Sequence, residues 1–171
     1  MDRALSYEWG KAAIREWIFS NFDKDAKILD VGPGSGVYYW ILHTKYKHID
    51  AVEIYKQNII DYNLEKKYEN VFNKDIVDFL YGNYDLIIFG DIVEHLTVED
   101  AQKVIKYAIE HSKTIVVAVP FLCSSISNEN INETHIQDDL TPQNVLNRYP
   151  ELQLLFKNNI YGYYIAKNNK A

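Results

Sequence analysis

The residues with the clearest chemical potential are three glycines that follow a short apolar segment. Gly32, Gly34 and Gly36 come directly after the strand-like segment Ala26–Val31. Glycines where a strand turns into a helix let the backbone approach a ligand that side chains would block. The positive end of the following helix lies beside them. The sequence therefore predicts a cradle for a nucleotide-type cofactor at this turn.

Two carboxylates narrow the type of cofactor. Glu53 ends the second strand-like segment, about twenty residues past the first glycine, where an acid can accept hydrogen bonds from both ribose hydroxyls of an adenosine. Asp30 precedes Gly32 by two residues, and two carboxylates would repel a pyrophosphate. The glycine spacing is G-x-G-x-G, with Val37 where the dinucleotide fingerprint G-x-G-x-x-G has its third glycine. Both features favour S-adenosylmethionine (SAM) over a nicotinamide dinucleotide.

Two segments carry a family resemblance. Asp30–Gly36, DVGPGSG, resembles the first motif of class I SAM-dependent methyltransferases, and Asp85–Leu96, DLIIFGDIVEHL, is similar to their fourth-strand motif. The resemblance spans roughly Ala26 to Val119. It implies an α/β fold, a Rossmann-like, doubly wound and mainly parallel seven-stranded sheet with a reversed C-terminal strand. It also implies SAM as cofactor and S-adenosylhomocysteine (SAH) as product.

The resemblance also implies a set of cofactor-binding residues near strand ends. They are Asp30, Gly32, Gly34, Gly36, Glu53, Ile54, Asp75, Ile76 and Asp91. In the family, the acid after the third strand hydrogen-bonds the adenine amino group and the next residue donates a backbone N–H to the ring. Asp75 and Ile76 match those positions, and Ile54 would line the adenine and ribose.

Two histidines are the candidate catalytic residues. Methyl transfer is an in-line displacement that needs alignment of the reactants and exclusion of water. A general base is needed only when the acceptor is a weak acid such as a hydroxyl. His95 follows the fourth strand and His135 lies in a polar loop, so both are candidate bases. The alternatives are that His95 caps a helix and that His135 is merely solvated.

A divalent cation is a further alternative at this position. Asp91, Glu94 and Glu133, together with the two histidines, have the carboxylate and imidazole groups that bind such ions. No dense ligand spacing marks a site, so the sequence assigns no metal.

The elements that must position these residues follow from hydrophobic periodicity. Strand-like runs alternate with helical spacing, which predicts βαβ units and a mainly parallel sheet. A leading helix is expected from Ser6, as N-cap, to Phe19, and another helix from about Lys56 to Lys66. Thr141-Pro142 is typical of a helix start. The tail predicts a closing hairpin of two strands, residues 152–156 and 160–166.

Composition sets the outer limits. The 171 residues fit one domain, 1–171, with a leading helix over the pocket in 1–25 and an acceptor loop in 121–141. A net charge of −6 disfavours DNA and other nucleic-acid partners. Cys123 is the only cysteine, and no run is long or apolar enough to be a signal peptide or a membrane span. A cytoplasmic protein with no membrane partner is expected.

We therefore expect a SAM-dependent methyltransferase that acts on a small-molecule or carbohydrate acceptor by O- or N-methylation. One alternative is an inactive SAM-binding scaffold or a subunit of a larger complex, with a protein partner. Another is a protein or RNA methyltransferase, because acceptor identity lies in variable loops. A small NAD-dependent oxidoreductase is less favoured by the glycine spacing. The oligomeric state stays open.

Overall fold

Seven strands and five α-helices alternate along the chain in the computed structural model, which describes residues 8–125 and 131–168. The strands are β1 (Ile28–Val31), β2 (Ile49–Val52), β3 (Val71–Phe72), β4 (Tyr84–Gly90), β5 (Ser112–Pro120), β6 (Gln153–Lys157) and β7 (Tyr161–Lys167). The α-helices are α1 (Lys11–Asn21), α2 (Val37–Leu42), α3 (Lys56–Asp61), α4 (Val98–Glu110) and α5 (Pro142–Arg148). Short 3₁₀ helices span Leu64–Lys66, Val93–His95 and Ile131–Glu133.

The strands form a single sheet in the order β3-β2-β1-β4-β5-β7-β6. β1 pairs in parallel with β2 on one side and with β4 on the other. β7 lies between β5 and β6 and runs antiparallel to both. This arrangement confirms the predicted Rossmann-like, mainly parallel seven-stranded sheet with a reversed C-terminal strand.

The sheet is covered on both faces, which explains the apolar runs of its central strands. Alternate residues of β1 serve different faces: Leu29 packs in the cluster under α4, whereas Ile28 packs in the cluster under α1 and α2. Residues Leu86 to Phe89 of β4 are fully buried. The helices therefore hold the central strands, and with them the loops at the strand ends, in fixed positions.

The leading helix differs from its predicted bounds. α1 begins at Lys11, because Gly10 adopts a left-handed conformation with φ 78° that interrupts the helix. A Cβ at Gly10 would lie 2.5 Å from the ring of Tyr163, so this turn packs tightly against β7. The predicted N-cap Ser6 lies outside the described residues.

Two other helix boundaries show how local conformation decides an end. The helix predicted to run from Lys56 to Lys66 stops at Asp61, because Asn63 is left-handed with φ 51° and a 3₁₀ turn follows. The helix start at Thr141 is confirmed: its side chain accepts the backbone N–H of Asn144 at 3.1 Å. Within the described ranges, no helix has the length and apolar character needed to cross a membrane.

Candidate functional site

The carboxyl ends of β1 and β4 form the crevice where a ligand is expected. From β1 the chain proceeds to β2 and β3 on one side of the sheet, and β4 and β5 lie on the other. In open α/β sheets, ligands bind where the strand order reverses in this way. The residues after β1 and after β4 therefore face the same crevice.

The glycine turn after β1 has the conformation that its composition predicts. Gly32, Gly34 and Gly36 have φ values of 61°, 51° and 84°, in the left-handed region where other residues are strained. A Cβ at Gly32 would lie 2.1 Å from the side chain of Ile92, which follows β4. The backbone of the turn thus closely approaches the segment at the opposite side of the crevice.

Glu53 is tied directly to this turn. Its side chain is buried, and one carboxylate oxygen accepts the backbone N–H of Gly34 at 3.3 Å. The other oxygen accepts the N–H of Tyr55 at 2.9 Å. Burial raises the pKa of Glu53 from its usual value, although these hydrogen bonds oppose the shift. The predicted acid and the predicted glycine turn are thus neighbours.

Asp30 is buried just before the turn, and only one of its two carboxylate oxygens accepts a hydrogen bond from the described residues. The Tyr68 hydroxyl donates to Oδ2 at 2.6 Å. Oδ1 has no hydrogen-bond partner among the described residues. Burial raises the pKa of Asp30 to about 7, while the Tyr68 hydrogen bond and the charge of Lys11 act in the opposite direction. A buried acceptor without a partner is rare and fits an arriving cationic or N–H group.

The predicted adenine-side residues surround the ends of β2 and β3. Ile54 is 42% exposed, and the amide of Asn73 donates to the backbone oxygens of Glu53 and Ile54 at 2.8 and 2.9 Å. Asp75 uses Oδ1 locally, because that oxygen accepts the N–H of Val77 at 2.9 Å. Ile76 is partly buried against the core. Asn73 thus holds the ends of β2 and β3 together.

Asp91, after β4, faces a buried cation that the sequence analysis did not single out. Asp91 has φ 59° and accepts the hydroxyl of Tyr161. The Lys11 ammonium lies 3.9 Å from its carboxylate and donates to the Tyr38 hydroxyl at 3.1 Å. Burial lowers the pKa of Lys11, and the charges of Asp91 and Asp30 oppose this shift.

A sequence signal for Lys11 existed in the helical spacing. Lys11, Ile14 and Ile18 are the buried residues of α1, at the i, i+3 and i+7 positions of one helix face. A lysine on an otherwise apolar face indicates a buried charge that needs a partner.

The two candidate histidines lie together, although 40 residues separate them in the sequence. The ring centroids of His95 and His135 are 4.8 Å apart. His95 Nδ1 lies 3.1 Å from the backbone oxygen of Thr134, and His135 Nδ1 lies 2.7 Å from that of Cys123. Burial lowers the pKa of His95, which favours its neutral form.

Glu94 completes this group. Its side chain is 1% exposed, and the backbone oxygen of Glu94 accepts the N–H groups of Ile136 and Gln137 at 2.8 and 3.0 Å. These two hydrogen bonds bring the loop that contains His135 against the 3₁₀ helix that contains His95.

Gln137 holds the loop in place and was missed by sequence reasoning. The buried amide nitrogen donates to the backbone oxygens of Val93 and Leu96 at 2.9 and 3.0 Å. The amide oxygen accepts from the Tyr149 hydroxyl at 2.8 Å and from Arg148 at 3.1 Å. A glutamine in a polar segment carries no local signal for this role, because its partners lie more than 10 residues away.

Comparison with known proteins shows the fold. No family model matches the chain, and no curated protein matches its sequence. A SAM-dependent methyltransferase from Clostridium acetobutylicum has a TM-score of 0.71 at 14% identity, covering 96% of this chain and 92% of its own. The N-terminal domain of EvdMO1 with SAH bound has a TM-score of 0.71 at 12% identity, covering 98% of this chain and 84% of its own.

A third match is the methyltransferase domain of bacterial CtHen1-CN. Its TM-score is 0.67 at 15% identity, and the alignment covers 92% of this chain and 96% of that domain. At such identities the likeness concerns the fold. This chain has the fold of class I SAM-dependent methyltransferases.

Proposed function

We propose that this protein is a SAM-dependent methyltransferase that holds its cofactor at the carboxyl ends of β1 and β2. The observation that carries the proposal is the contact between the buried carboxylate of Glu53 and the N–H of Gly34 in the glycine turn. The acid that would accept the ribose hydroxyls thus adjoins a turn that admits a ligand to the backbone.

The methionine end of the cofactor has a matching partner in Asp30. SAM carries an ammonium group, and Asp30 Oδ1 is a buried acceptor with no partner among the described residues. An ammonium near this oxygen, directly or through water, would restore its hydrogen bonding and favour the ionised carboxylate. Asp75 and Ile76 would then contact the adenine ring, and Ile54 would cover it.

The same carboxylates argue against a nicotinamide dinucleotide. Asp30 and Glu53 are both buried at the glycine turn. A pyrophosphate bound there would meet two buried acids, and any charge on either one would repel it more strongly than in water, because the dielectric constant is low. A ligand with a sulfonium and an ammonium is attracted instead.

The acceptor end of the crevice provides proton acceptors. When bound, SAM supplies an electrophilic methyl group that an acceptor takes by in-line displacement. A backbone oxygen can only accept, so Nδ1 of His95 and of His135 must carry the hydrogen in their contacts with Thr134 and Cys123. In the neutral rings, the Nε2 atoms therefore have the free lone pairs. They suit an acceptor that loses a proton, such as a hydroxyl or an ammonium.

A small-molecule or carbohydrate acceptor fits this end better than a nucleic acid. Asp91, Glu94 and Glu133 lie in this region, and charge–charge interactions connect Glu94 with both of the others. Such an acidic group repels a phosphate backbone. The single cysteine is consistent with the cytoplasmic setting that is part of this proposal.

The test is transfer of a labelled methyl group from SAM to a panel of hydroxylated small molecules, sugars, RNA and proteins. We expect transfer to a small acceptor and a loss of about 10²-fold in kcat for His95→Ala or His135→Ala. SAH affinity should change little in these variants. His43→Ala, which alters a histidine at the end of α2, is the matched control. Transfer to RNA or protein alone would overturn the acceptor class, and absence of SAM binding to folded protein would overturn the function.

A further inference from the structure

The cluster of Glu94, His95 and His135 has the composition and geometry of a metal site. One potential ligand atom from each residue lies within 4.8 Å of the other two. The Glu94 side chain is 1% exposed, yet neither carboxylate oxygen has a hydrogen-bond partner in the described part of the chain. A buried carboxylate with no partner is costly, so its environment calls for a compensating cation or donor.

The two imidazoles are oriented as metal ligands usually are. Each Nδ1 donates to a backbone oxygen, that of Thr134 for His95 and that of Cys123 for His135. This bond fixes the ring and the tautomer, and it leaves Nε2 with the lone pair that a cation needs. The hydrogen bonds of Gln137 to Val93 and Leu96 hold the loop of His135 beside His95. Because this contact joins distant parts of the sequence, the spacing of the two histidines gives no metal signature.

We propose that Glu94, His95 and His135 bind a divalent first-row transition cation. Two imidazole nitrogens and one carboxylate suit Zn²⁺, Mn²⁺ or Co²⁺ better than Mg²⁺ or Ca²⁺, which prefer oxygen ligands. Three protein ligands leave at least one coordination position open, as in catalytic rather than structural sites. The sequence analysis assigned no metal, and this proposal departs from it.

The metal site would add an acceptor-binding role to the proposed methyltransferase. This part of the inference rests on that proposed function. Electrostatic interactions connect His95 with Asp91 and connect Glu133 with both Glu53 and His135. Glu94 and His95 belong to the 3₁₀ helix that follows β4, so the cluster lies at the β4 side of the crevice. A cation there would bind an acceptor hydroxyl at its open position and lower the pKa of that hydroxyl, so that its proton passes to solvent while the oxygen takes the methyl group from the sulfonium, which leaves as the neutral thioether. In that case His95 and His135 act as ligands rather than as bases, and the acceptor is a hydroxyl rather than an amine.

The direct test is metal binding by chelator-treated full-length protein. Titration with Co²⁺, followed by visible absorption, should give one saturable site, and calorimetry should give one site each for Zn²⁺ and Mn²⁺. Mg²⁺ should bind more weakly. His135→Ala and Glu94→Gln should each weaken Co²⁺ binding by about 10–100-fold, whereas the control His43→Ala should bind as the wild type does. Circular dichroism establishes that each variant is folded.

Several results would overturn the metal site. The first is the absence of Co²⁺ binding to the folded wild type. The second is equal Co²⁺ affinity of the His135→Ala variant and the wild type. If Glu94→Gln fails to fold, His135→Ala and His95→Ala, which alter side chains only partly buried, keep the test decisive. SAH binding to the metal-free protein, measured in parallel, separates the two proposals. SAH binding without Co²⁺ binding refutes only the metal site, and Co²⁺ binding without SAH binding refutes only the cofactor site.

Discussion

The two sides of the crevice are built in different ways. On the cofactor side, the glycine turn and Glu53 join directly to strands through backbone hydrogen bonds: Gly32 donates to Val52 at 2.8 Å, and Glu53 donates to Phe72 at 2.9 Å. On the acceptor side, the loop is attached by two backbone hydrogen bonds to the oxygen of Glu94 and by the side chain of Gln137, which bonds to Val93 and Leu96.

This difference indicates how the two functions can vary. A turn that continues the sheet has little freedom to change without disturbing the strands. A loop attached through a few contacts outside the sheet can be replaced while the sheet stays intact, which is why acceptor specificity commonly lies in loops. The comparison predicts that mutations on the acceptor side impair transfer and leave cofactor affinity intact, and that the reverse holds on the cofactor side.

The largest expected effect concerns the charge of Asp30. Its folded-state pKa is about 7 against a usual value of 3.8. The folded protein therefore keeps a proton that the unfolded chain releases between these values, and stability is lost as the pH rises from about 4 to about 7. Groups that face Asp30 are Tyr68, Lys11 and Glu53. The free energy of unfolding of Asp30→Asn, relative to that of the wild type, should rise by ~3 kcal/mol between pH 5 and pH 8.

Urea unfolding of both proteins at pH 5 and pH 8 measures this change, with the exposed Asp138→Asn as control. The same Asp30→Asn variant should bind SAM more weakly than the wild type at pH 8. If the difference in free energy of unfolding between the two proteins were the same at pH 5 and pH 8, the Asp30 carboxyl would not have a raised pKa in the folded protein.

The second-largest effect is expected for Gln137→Ala. This change removes the partner of the buried Tyr149 hydroxyl and of the Leu96 backbone oxygen, while the Val93 oxygen keeps the N–H of Leu96. The free energy of unfolding should fall by about 2–3 kcal/mol. Methyl transfer should fall as the loop loosens, while SAH affinity, measured by calorimetry, should stay within about twofold.

Gln143→Ala is the matched control, because the Gln143 side chain is exposed on α5 and donates to the Asn147 side chain. If Gln137→Ala weakened SAH binding as much as it slowed transfer, the two sides of the crevice would not be separable.

A smaller effect is expected for Glu53→Ala. Loss of charged hydrogen bonds to the ribose should weaken SAH binding by about 1–3 kcal/mol. Because Glu53→Ala also removes the acceptor of the Gly34 and Tyr55 N–H groups, the free energy of unfolding should fall by about 1–3 kcal/mol as well. Calorimetric titration and thermal unfolding give both quantities. Glu69→Ala, which removes an exposed acid paired with His48, is the control. Unchanged SAH affinity in Glu53→Ala would remove Glu53 from the site.

The smallest effect is expected for Asp139→Asn. Asp139 and Arg148 form a two-bond ion pair, at 2.8 and 2.6 Å, that lowers the pKa of Asp139. The pair is exposed on the Asp139 side, so its loss should change the free energy of unfolding by less than about 1 kcal/mol. Chemical denaturation at low and high salt measures it. A loss as large as that for Gln137→Ala would show that the ion pair, rather than Gln137, holds the loop.

The cofactor side was predictable because its signals are local. The apolar run before Gly32 and the glycines themselves specify a strand and a left-handed turn within nine residues of sequence, 28–36. The seven-stranded sheet and its reversed C-terminal strand were likewise predicted, since they follow from the family resemblance and the terminal hairpin. Ends of helices were less predictable: Gly10 and Asn63 interrupt apolar patterns that continue across them.

The acceptor side was not predictable for a physical reason. Gln137 and Glu94 meet only because the loop after β5 folds back on the turn after β4, and neither residue has a local pattern that marks this contact. Tyr68, which donates to Asp30, is another such residue, since 38 positions separate the two. Long-range side-chain contacts of this kind become visible only in the folded chain.

The central claim is that SAM occupies the glycine turn with its reactive end toward the histidine cluster, and a crystal structure with SAH tests it most directly. We expect ribose hydroxyls within hydrogen-bond distance of Glu53, an amino group close to Asp30, and the SAH sulfur directed toward Glu94, His95 and His135. SAH bound elsewhere on the chain, or bound in this crevice with the ribose away from Glu53, would contradict it.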